Sequence, residues 1–312
     1  MDQIQHSFVN VRGLNIHVAE IGSGTQVVVF LHGFPEIWYS WRHQMISLAK
    51  AGFRAIAPDY RGYGLSDRPE EPEKTTFGDL VSDLLAILDH FGFNKVFLAA
   101  KDFGVRPASI FALVHPERVS GIVTIGVPMV SPSVPDYKKI LPQGSYILRW
   151  QEAGRAEADF GRFDTKTVIR KIYILFSRSE IPTAGPNEEI MDLVDESTPL
   201  PPWFTDQDLT TYADLYTKSG FQTALQVPYR ALSEDFGIKE MIVKVPALLI
   251  QGGKDYSVQF PGREEYIKSG KVKEFMSDLE IINLPLGTHF VQEQLPDEVN
   301  QAIHNFLHKH IP

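Results

Sequence analysis

Asp102, Asp255 and His289 each follow a separate apolar run in this 312-residue chain, and together they suffice for a displacement on carbon. Asp102 closes the run Val96-Phe-Leu-Ala-Ala-Lys-Asp102, with Ala100 two residues before it, Gly104 two after, and a helical pattern beyond. Small residues at those places let a strand turn sharply into a helix around a nucleophile. Serine is the usual nucleophile of such a turn; a carboxylate instead attacks an sp3 carbon and forms an ester that water must hydrolyse. His289, in Leu286-Gly-Thr-His289, is the candidate base for that water. Asp255, in Gly252-Gly-Lys-Asp255, is the candidate acid that fixes the histidine's tautomer and stabilises its imidazolium. One such aspartate alone would be read as a cap or turn residue. Three residues in order, each at the end of a strand-like run, favour chemistry. Gly126-Val-Pro-Met-Val130 offers no rival acid, and His32-Gly-Phe-Pro35 follows another apolar run. The backbone N–H groups of Phe34 and Phe103 are therefore candidates for an oxyanion hole.

The elements that must position these residues are legible in the hydrophobic pattern. Residues 7 to 22 alternate around Arg12-Gly13 and predict a hairpin. Val27–Leu31, Arg54–Pro58, Val96–Ala100, Gly121–Gly126, Val245–Gln251 and Leu279–Leu284 are short continuous apolar runs, as expected of strands buried on both faces. Helical patterns lie between them, at Phe77 to Phe91 for example, and Pro296 to Ile311 closes the chain as an amphipathic helix. Strand–helix alternation predicts a mostly parallel twisted sheet flanked by helices. Alternation stops after Val127, and helical stretches near 145–160, 165–178 and 206–232 predict a helical lid. Nucleophile, acid, histidine is the chain order of α/β-hydrolases. The expected architecture is thus an α/β-hydrolase fold with a lid after the sixth strand: core 1–130, lid 131–235, core 236–312.

Composition narrows the partners. A net charge of −9 disfavours nucleic acid or an anionic membrane. The chain has no cysteine, so disulfides, thiol nucleophiles and zinc-thiolate sites are excluded. No signal-peptide pattern, peroxisomal address or transmembrane run is read, so a cytoplasmic protein without membrane insertion is expected, as monomer or homodimer. No cofactor is expected. Metal-ligand spacing is absent, and His43, His90, His115, His304, His308 and His310 fall on helical patterns where structural or solvent-facing roles are expected.

With these residues in view, the chain resembles the epoxide hydrolases of the α/β-hydrolase superfamily, most closely the soluble plant type, over nearly its whole length. The resemblance rests on His32-Gly-Phe-Pro-Glu-Ile-Trp-Tyr-Ser-Trp-Arg42, Pro58-Asp-Tyr-Arg-Gly-Tyr-Gly-Leu-Ser-Asp67, the Asp102 turn, Gly-Lys-Asp255 and Gly-Thr-His-Phe290. It implies a cis Phe34–Pro35 bond and a structural role for the Asp59 loop. It also implies two lid tyrosines that protonate the epoxide oxygen: Tyr146 in Ser145-Tyr-Ile-Leu-Arg-Trp-Gln151, and Tyr229 in Val227-Pro-Tyr-Arg-Ala-Leu232. A phenol with an ordinary pKa of about 10 stays protonated and can serve an alkoxide. The implied substrate is a small apolar epoxide, held by Phe34, Trp150, Tyr146 and Tyr229, with Phe176, Trp203 and Phe204 as further aromatics of an apolar pocket or of lid packing.

The chain departs from the family at Lys101-Asp-Phe-Gly104, where His-Asp-Trp-Gly is usual, and at Val105 and Val227-Pro228. Lys101 either reaches a carboxylate or water, or keeps Asp102 ionised. Three alternatives stay open: a haloalkane-dehalogenase-like enzyme, a low-activity ligand-binding member of the fold, and an epoxide-cyclising one. Against the first, Phe34 and Phe103 lack the side-chain N–H donors that a departing halide needs.

Overall fold

The computed structural model describes residues 3–129, 136–232, 234 and 236–311. The expected boundaries at 130/131 and 235, and Val130 itself, lie outside the described residues. Eight strands form one sheet in the order β1-β2-β4-β3-β5-β6-β7-β8. They are β1 (Gln5–Val11), β2 (Leu14–Ile21), β3 (Val27–Leu31), β4 (Arg54–Pro58), β5 (Val96–Lys101), β6 (Val119–Ile125), β7 (Ala247–Gly252) and β8 (Leu279–Leu284). The first two pair antiparallel, and β2 joins β4 antiparallel; the other neighbours are parallel.

Local chemistry sets these elements. Arg12 and Gly13 both have positive φ, 52° and 88°, the geometry that closes a two-residue hairpin with the twist of its strands. Every residue of β3, β5 and β7 is buried, which explains their uninterrupted apolar sequence. At the sheet edge, β8 differs: of its six residues only Leu279 is fully buried, so its apolar run does not mark a strand covered on both faces. The helix Phe77–His90 starts at a capping box in which Thr76 and Asp79 satisfy each other's backbone N–H. The closing helix, Pro296–His310, buries Val299, Ala302, Ile303, Phe306 and Leu307, the five residues in phase in the sequence.

Between β6 and β7 the chain is helical, with two departures from expectation. The 145–160 stretch is two helices, Tyr146–Gln151 and Arg155–Phe160, separated at Gly154, whose φ is +82°. The 206–232 stretch is a helix over Asp206–Ser219 that stops at Gly220 (φ +69°). A short turn, Gln222–Leu225, and a π-helical turn, Gln226–Arg230, complete it. Pro228 has no N–H to give a regular α-helical ladder, so the wider turn falls where Tyr229 is carried. Thr165–Phe176 is one helix, as expected.

A buried ionic group ties this helical segment to the sheet side. Arg42 contacts Asp208 of the helix Asp206–Ser219 at 3.0 Å and Glu293 at 2.5 Å. The hydroxyls of Tyr212 and Tyr173 donate to Glu293 at 3.2 and 3.4 Å. Burial pushes Glu293 up to about 7 from the ordinary 4.5; Arg42 opposes the rise, while Glu36 and Asp208 add to it. The folded chain then keeps a proton there that the unfolded chain has released. Rising pH across the interval from 4.5 to 7 therefore lowers stability. Glu293→Gln, which cannot ionise, is expected to lose less stability than the native protein between about pH 5 and about pH 8, by roughly 1–3 kcal/mol in urea unfolding. Parallel stability curves for the two proteins would contradict it.

Candidate active site

Asp102 stands at the turn from β5 into the helix Val105–Val114 with φ +52°, a left-handed conformation for a residue with a side chain. Such strain costs about 1–3 kcal/mol and persists only where surrounding contacts impose it. They do so by close approach. A Cβ on Gly104 would lie 2.4 Å from the carbonyl oxygen of His32, and one on Gly33 would lie 2.5 Å from the Cβ of Asp102. The small flanking residue thus lets the turn press against the end of β3. The opposing glycine lets the His32-Gly-Phe-Pro35 loop reach the carboxylate. Phe34–Pro35 is cis.

The structure brings the three expected residues together from β5, β7 and β8. His289 Nε2 is 3.5 Å from Asp102 Oδ2, and its Nδ1 is 3.0 Å from Asp255 Oδ1. Asp255 also accepts the backbone N–H of Ser257 at 2.8 Å. With Asp255 ionised, Nδ1 donates its proton to that carboxylate, and Nε2 faces the Asp102 carboxylate, to which it can donate only when the ring is protonated. Phe34 donates its N–H to Asp102 Oδ1 at 3.2 Å, and the Phe103 N–H also bonds this carboxylate. Burial by itself would raise the pKa of Asp102. His289, the Lys101 ammonium and the Phe103 N–H outweigh it and hold the group well below the usual carboxylate range. For His289, burial and Lys101 favour the neutral ring, yet Asp255 and Asp102 prevail and its pKa is raised.

Tyr146 and Tyr229 come from the Tyr146–Gln151 helix and the π-helical turn, and their rings lie 6.2 Å apart, edge to face. Phe34 touches Tyr229 and Trp150, each at 5.7 Å between centroids, and Trp150 lies 5.1 Å from Tyr229. Phe34, Trp150, Tyr146 and Tyr229 are thus one aromatic cluster, with Phe176 5.0 Å from Tyr146. Trp203 and Phe204 pack elsewhere, on Tyr173 and Phe290. Burial raises the pKa of both tyrosines far above the phenol value, so each keeps its proton. A groove of about 320 Å³ is lined by Tyr146 and Tyr256, between residues such as Ile181 on the helical segment and Phe260 after β7.

Glu36 and Tyr256 were not singled out in the sequence, whereas Lys101 was, as a departure from the family pattern. Lys101 is buried and its Nζ lies 3.7 Å from Glu36 Oε2 and 5.3 Å from the Phe290 ring centre. Glu36 accepts from Gly33 N at 3.3 Å and from the Gln292 amide. Burial raises the pKa of Glu36 against the pull of Lys101. Glu36 sits inside a motif quoted for the resemblance, but nothing local shows that it meets Lys101. Tyr256, directly after Asp255, lies 4.8 Å from the His289 ring and shares a hydrogen bond of 3.2 Å with the Tyr146 hydroxyl. Asp59 accepts backbone N–H groups of Trp38 and Leu65 and contacts His17, which fits the structural role expected of its loop. His304 contacts Ser47 and His308 its own helix, away from this site. Among the described residues no group of three histidines or carboxylates is placed to hold a metal ion. Nor is any described helix long and apolar enough to cross a membrane.

A mostly parallel sheet with an acid–histidine pair behind a sharp strand-to-helix turn defines an α/β-hydrolase, and the family model described as the alpha/beta hydrolase fold matches residues 26–259. Epoxide hydrolase 2 of Siraitia grosvenorii is 37% identical, spanning 99% of this chain and 100% of its own. Epoxide hydrolase A of Mycobacterium tuberculosis is 31% identical over 96% of each. Epoxide hydrolase I of potato (Solanum tuberosum) superposes with a TM-score of 0.88 at 33% identity, covering 98% of this chain and 99% of that one. An epoxide hydrolase mutant of Vigna radiata gives 0.91 at 33% identity, over 99% and 100%. This hydrolase belongs to the epoxide hydrolase family of the α/β-hydrolases.

Lys101→Met would leave the buried Glu36 facing Asp102 without its cation. At about pH 8 a stability loss of roughly 2–4 kcal/mol is expected in urea. Adding Glu36→Gln should recover more than half of it. If the single variant unfolds at the native urea concentration, Lys101 does not support this carboxylate.

Proposed function

We propose that the enzyme hydrolyses a small apolar epoxide to a vicinal diol through an ester on Asp102. The observation that carries this reading is a carboxylate held ionised at the turn, in the same site as two buried, protonated phenols. The names of its relatives agree with it. An Asp102 oxygen attacks one epoxide carbon, the C–O bond breaks, and the oxygen takes a proton from a phenol of Tyr146 or Tyr229. Water then gives a proton to His289 Nε2 as its hydroxide adds to the ester carbonyl. The backbone N–H groups of Phe34 and Phe103 hold the resulting oxyanion. Collapse expels the diol oxygen, which takes the proton back from His289, and the regenerated carboxyl returns one to the tyrosinate. Net consumption is one epoxide and one water.

In this reading residues 131–235 act as the lid, and Phe34, Trp150, Tyr146 and Tyr229 wall the substrate. Halide departure is disfavoured because Phe34 and Phe103 offer only backbone donors. The helical lid brings hydroxyls instead. A ligand-binding role would leave Tyr146, Tyr229 and His289 without a task.

The test is a trapped intermediate. His289→Gln, mixed with a styrene-type epoxide, is expected to gain the mass of the epoxide on the intact protein. Asp102→Ala should show no adduct and turn over at less than about one-thousandth of the native rate. A His289→Gln protein that never gains mass with any of a panel of epoxides sinks the covalent reading.

A further inference from the structure

We propose that Tyr256 is a positioning residue for epoxide opening: its hydroxyl donates to the oxygen of Tyr146 and so aims the Tyr146 proton at the substrate. This inference rests on the reading above. Four observations converge on it. First, the two hydroxyl oxygens are 3.2 Å apart and buried. Each phenol carries a single proton. If Tyr146 is to give its own proton to the epoxide oxygen, the hydrogen between the two tyrosines must belong to Tyr256.

Second, the Tyr256 phenol is held by the turn that holds the acid. Asp255 accepts the Ser257 N–H at 2.8 Å, and Tyr256 lies between them with its ring 4.8 Å from His289 and 5.3 Å from Phe176. Its position is therefore set by the sheet side of the molecule, while Tyr146 belongs to the helical segment. The hydrogen bond fixes the orientation of a donor on one body against the histidine on the other.

Third, the two tyrosines proposed as donors are not equivalent. Among the described residues no hydrogen bond reaches the Tyr229 hydroxyl, and the Tyr229 ring packs on those of Trp150, Phe34 and Tyr146. The negative charge that grows on a tyrosine as it yields its proton is stabilised on Tyr146 by an O–H aimed at it, and not on Tyr229. A phenol chain of this kind polarises each member, which strengthens donation at its far end. Tyr146 is thereby the principal donor and Tyr229 the second hydrogen bond to the same oxygen. Fourth, Tyr146 and Tyr256 both line the groove between the helical segment and the core, so the two phenols meet where those parts of the molecule meet.

The step is a proton transfer from Tyr146 to the epoxide oxygen as the carbon–oxygen bond breaks, with the Tyr256 proton staying on Tyr256 and bridging to the tyrosinate. No further reactant enters. The consequence is confined to ring opening. Hydrolysis of the ester uses His289 and water, and Tyr256 has no proton to supply there.

The experiment reads the rate of ester formation in a His289→Gln background, by rapid quenching and intact-protein mass with a styrene-type epoxide. Tyr256→Phe should slow ester formation about tenfold, the effect of losing one hydrogen bond of typical strength. The epoxide concentration giving half-maximal rate should stay within twofold, since the ring is kept. Tyr146→Phe should slow it further, and the double variant should be no slower than Tyr146→Phe alone, because Tyr256 acts only through that oxygen. A Tyr256→Phe rate within twofold of the parent overturns the inference, as do losses that multiply in the double variant. If the parent itself forms no ester with any epoxide, the reading and this inference fail together. If the parent forms ester and Tyr256→Phe changes nothing, only the inference fails.

Discussion

A carboxylate kept charged in a largely buried site is the constraint on which the rest of this structure depends. Burial pushes Asp102 toward the neutral acid, and its sequence neighbours Lys101 and Phe103, together with His289 from a distant part of the chain, reverse that. Phe34 N–H comes from the loop after β3, Lys101 and Phe103 from the end of β5, and His289 from the loop after β8. Parallel strands place those ends along one edge of the sheet, which is how an open α/β sheet gathers ligands at its carboxyl edge. The strained φ of Asp102 follows from the same demand, since the carboxylate must leave the strand direction to meet them.

The same electrostatic problem recurs one layer deeper. Glu36 and Glu293 are buried carboxylates whose pKa values burial raises, and each has its own cation, Lys101 and Arg42. Arg42 also holds Asp208 on the helical segment. Docking of that segment and charge balance under the site are therefore one network, joined through Gln292 and Glu293, which are adjacent in sequence and buried. Lys101 stands where family members usually have a histidine, and its side chain is buried beside Glu36.

Much of the fold was legible because buried parallel strands are written as continuous apolar runs. Val27–Leu31 and Arg54–Pro58 have the same limits in sequence and structure, as does the less buried edge strand Leu279–Leu284. The helix breaks at Gly154 and Gly220 were not legible, since a positive φ at glycine is one option among several until packing selects it. In the site, Asp102, Asp255, His289 and the Phe34 loop could be placed because each sits at a fixed distance from the end of a strand. Tyr256 and Glu36 could not. Their partners are 110 residues away for Tyr256 and 65 for Glu36 (101 − 36), and such contacts leave no local pattern. Tyr146 and Tyr229 lie between: only a resemblance could single them out among eleven tyrosines.

Lys101 bears differently on the two halves of the proposed reaction. In the free enzyme the ammonium supports the ionised Asp102 and opposes protonation of His289. Once Asp102 becomes an ester its charge is gone, and His289 loses one of the two carboxylates that raise its pKa. The lysine's opposition is then less balanced, and the ring is pushed toward the neutral form. Neutrality is what a base awaiting a water proton needs, but the imidazolium that forms next must be tolerated. Asp255 supplies one compensation at 3.0 Å, and Glu36, drawing the ammonium to itself, supplies the other. A cation beside the nucleophile is thus compatible with both half-reactions only because a buried carboxylate, Glu36, lies 3.7 Å from it.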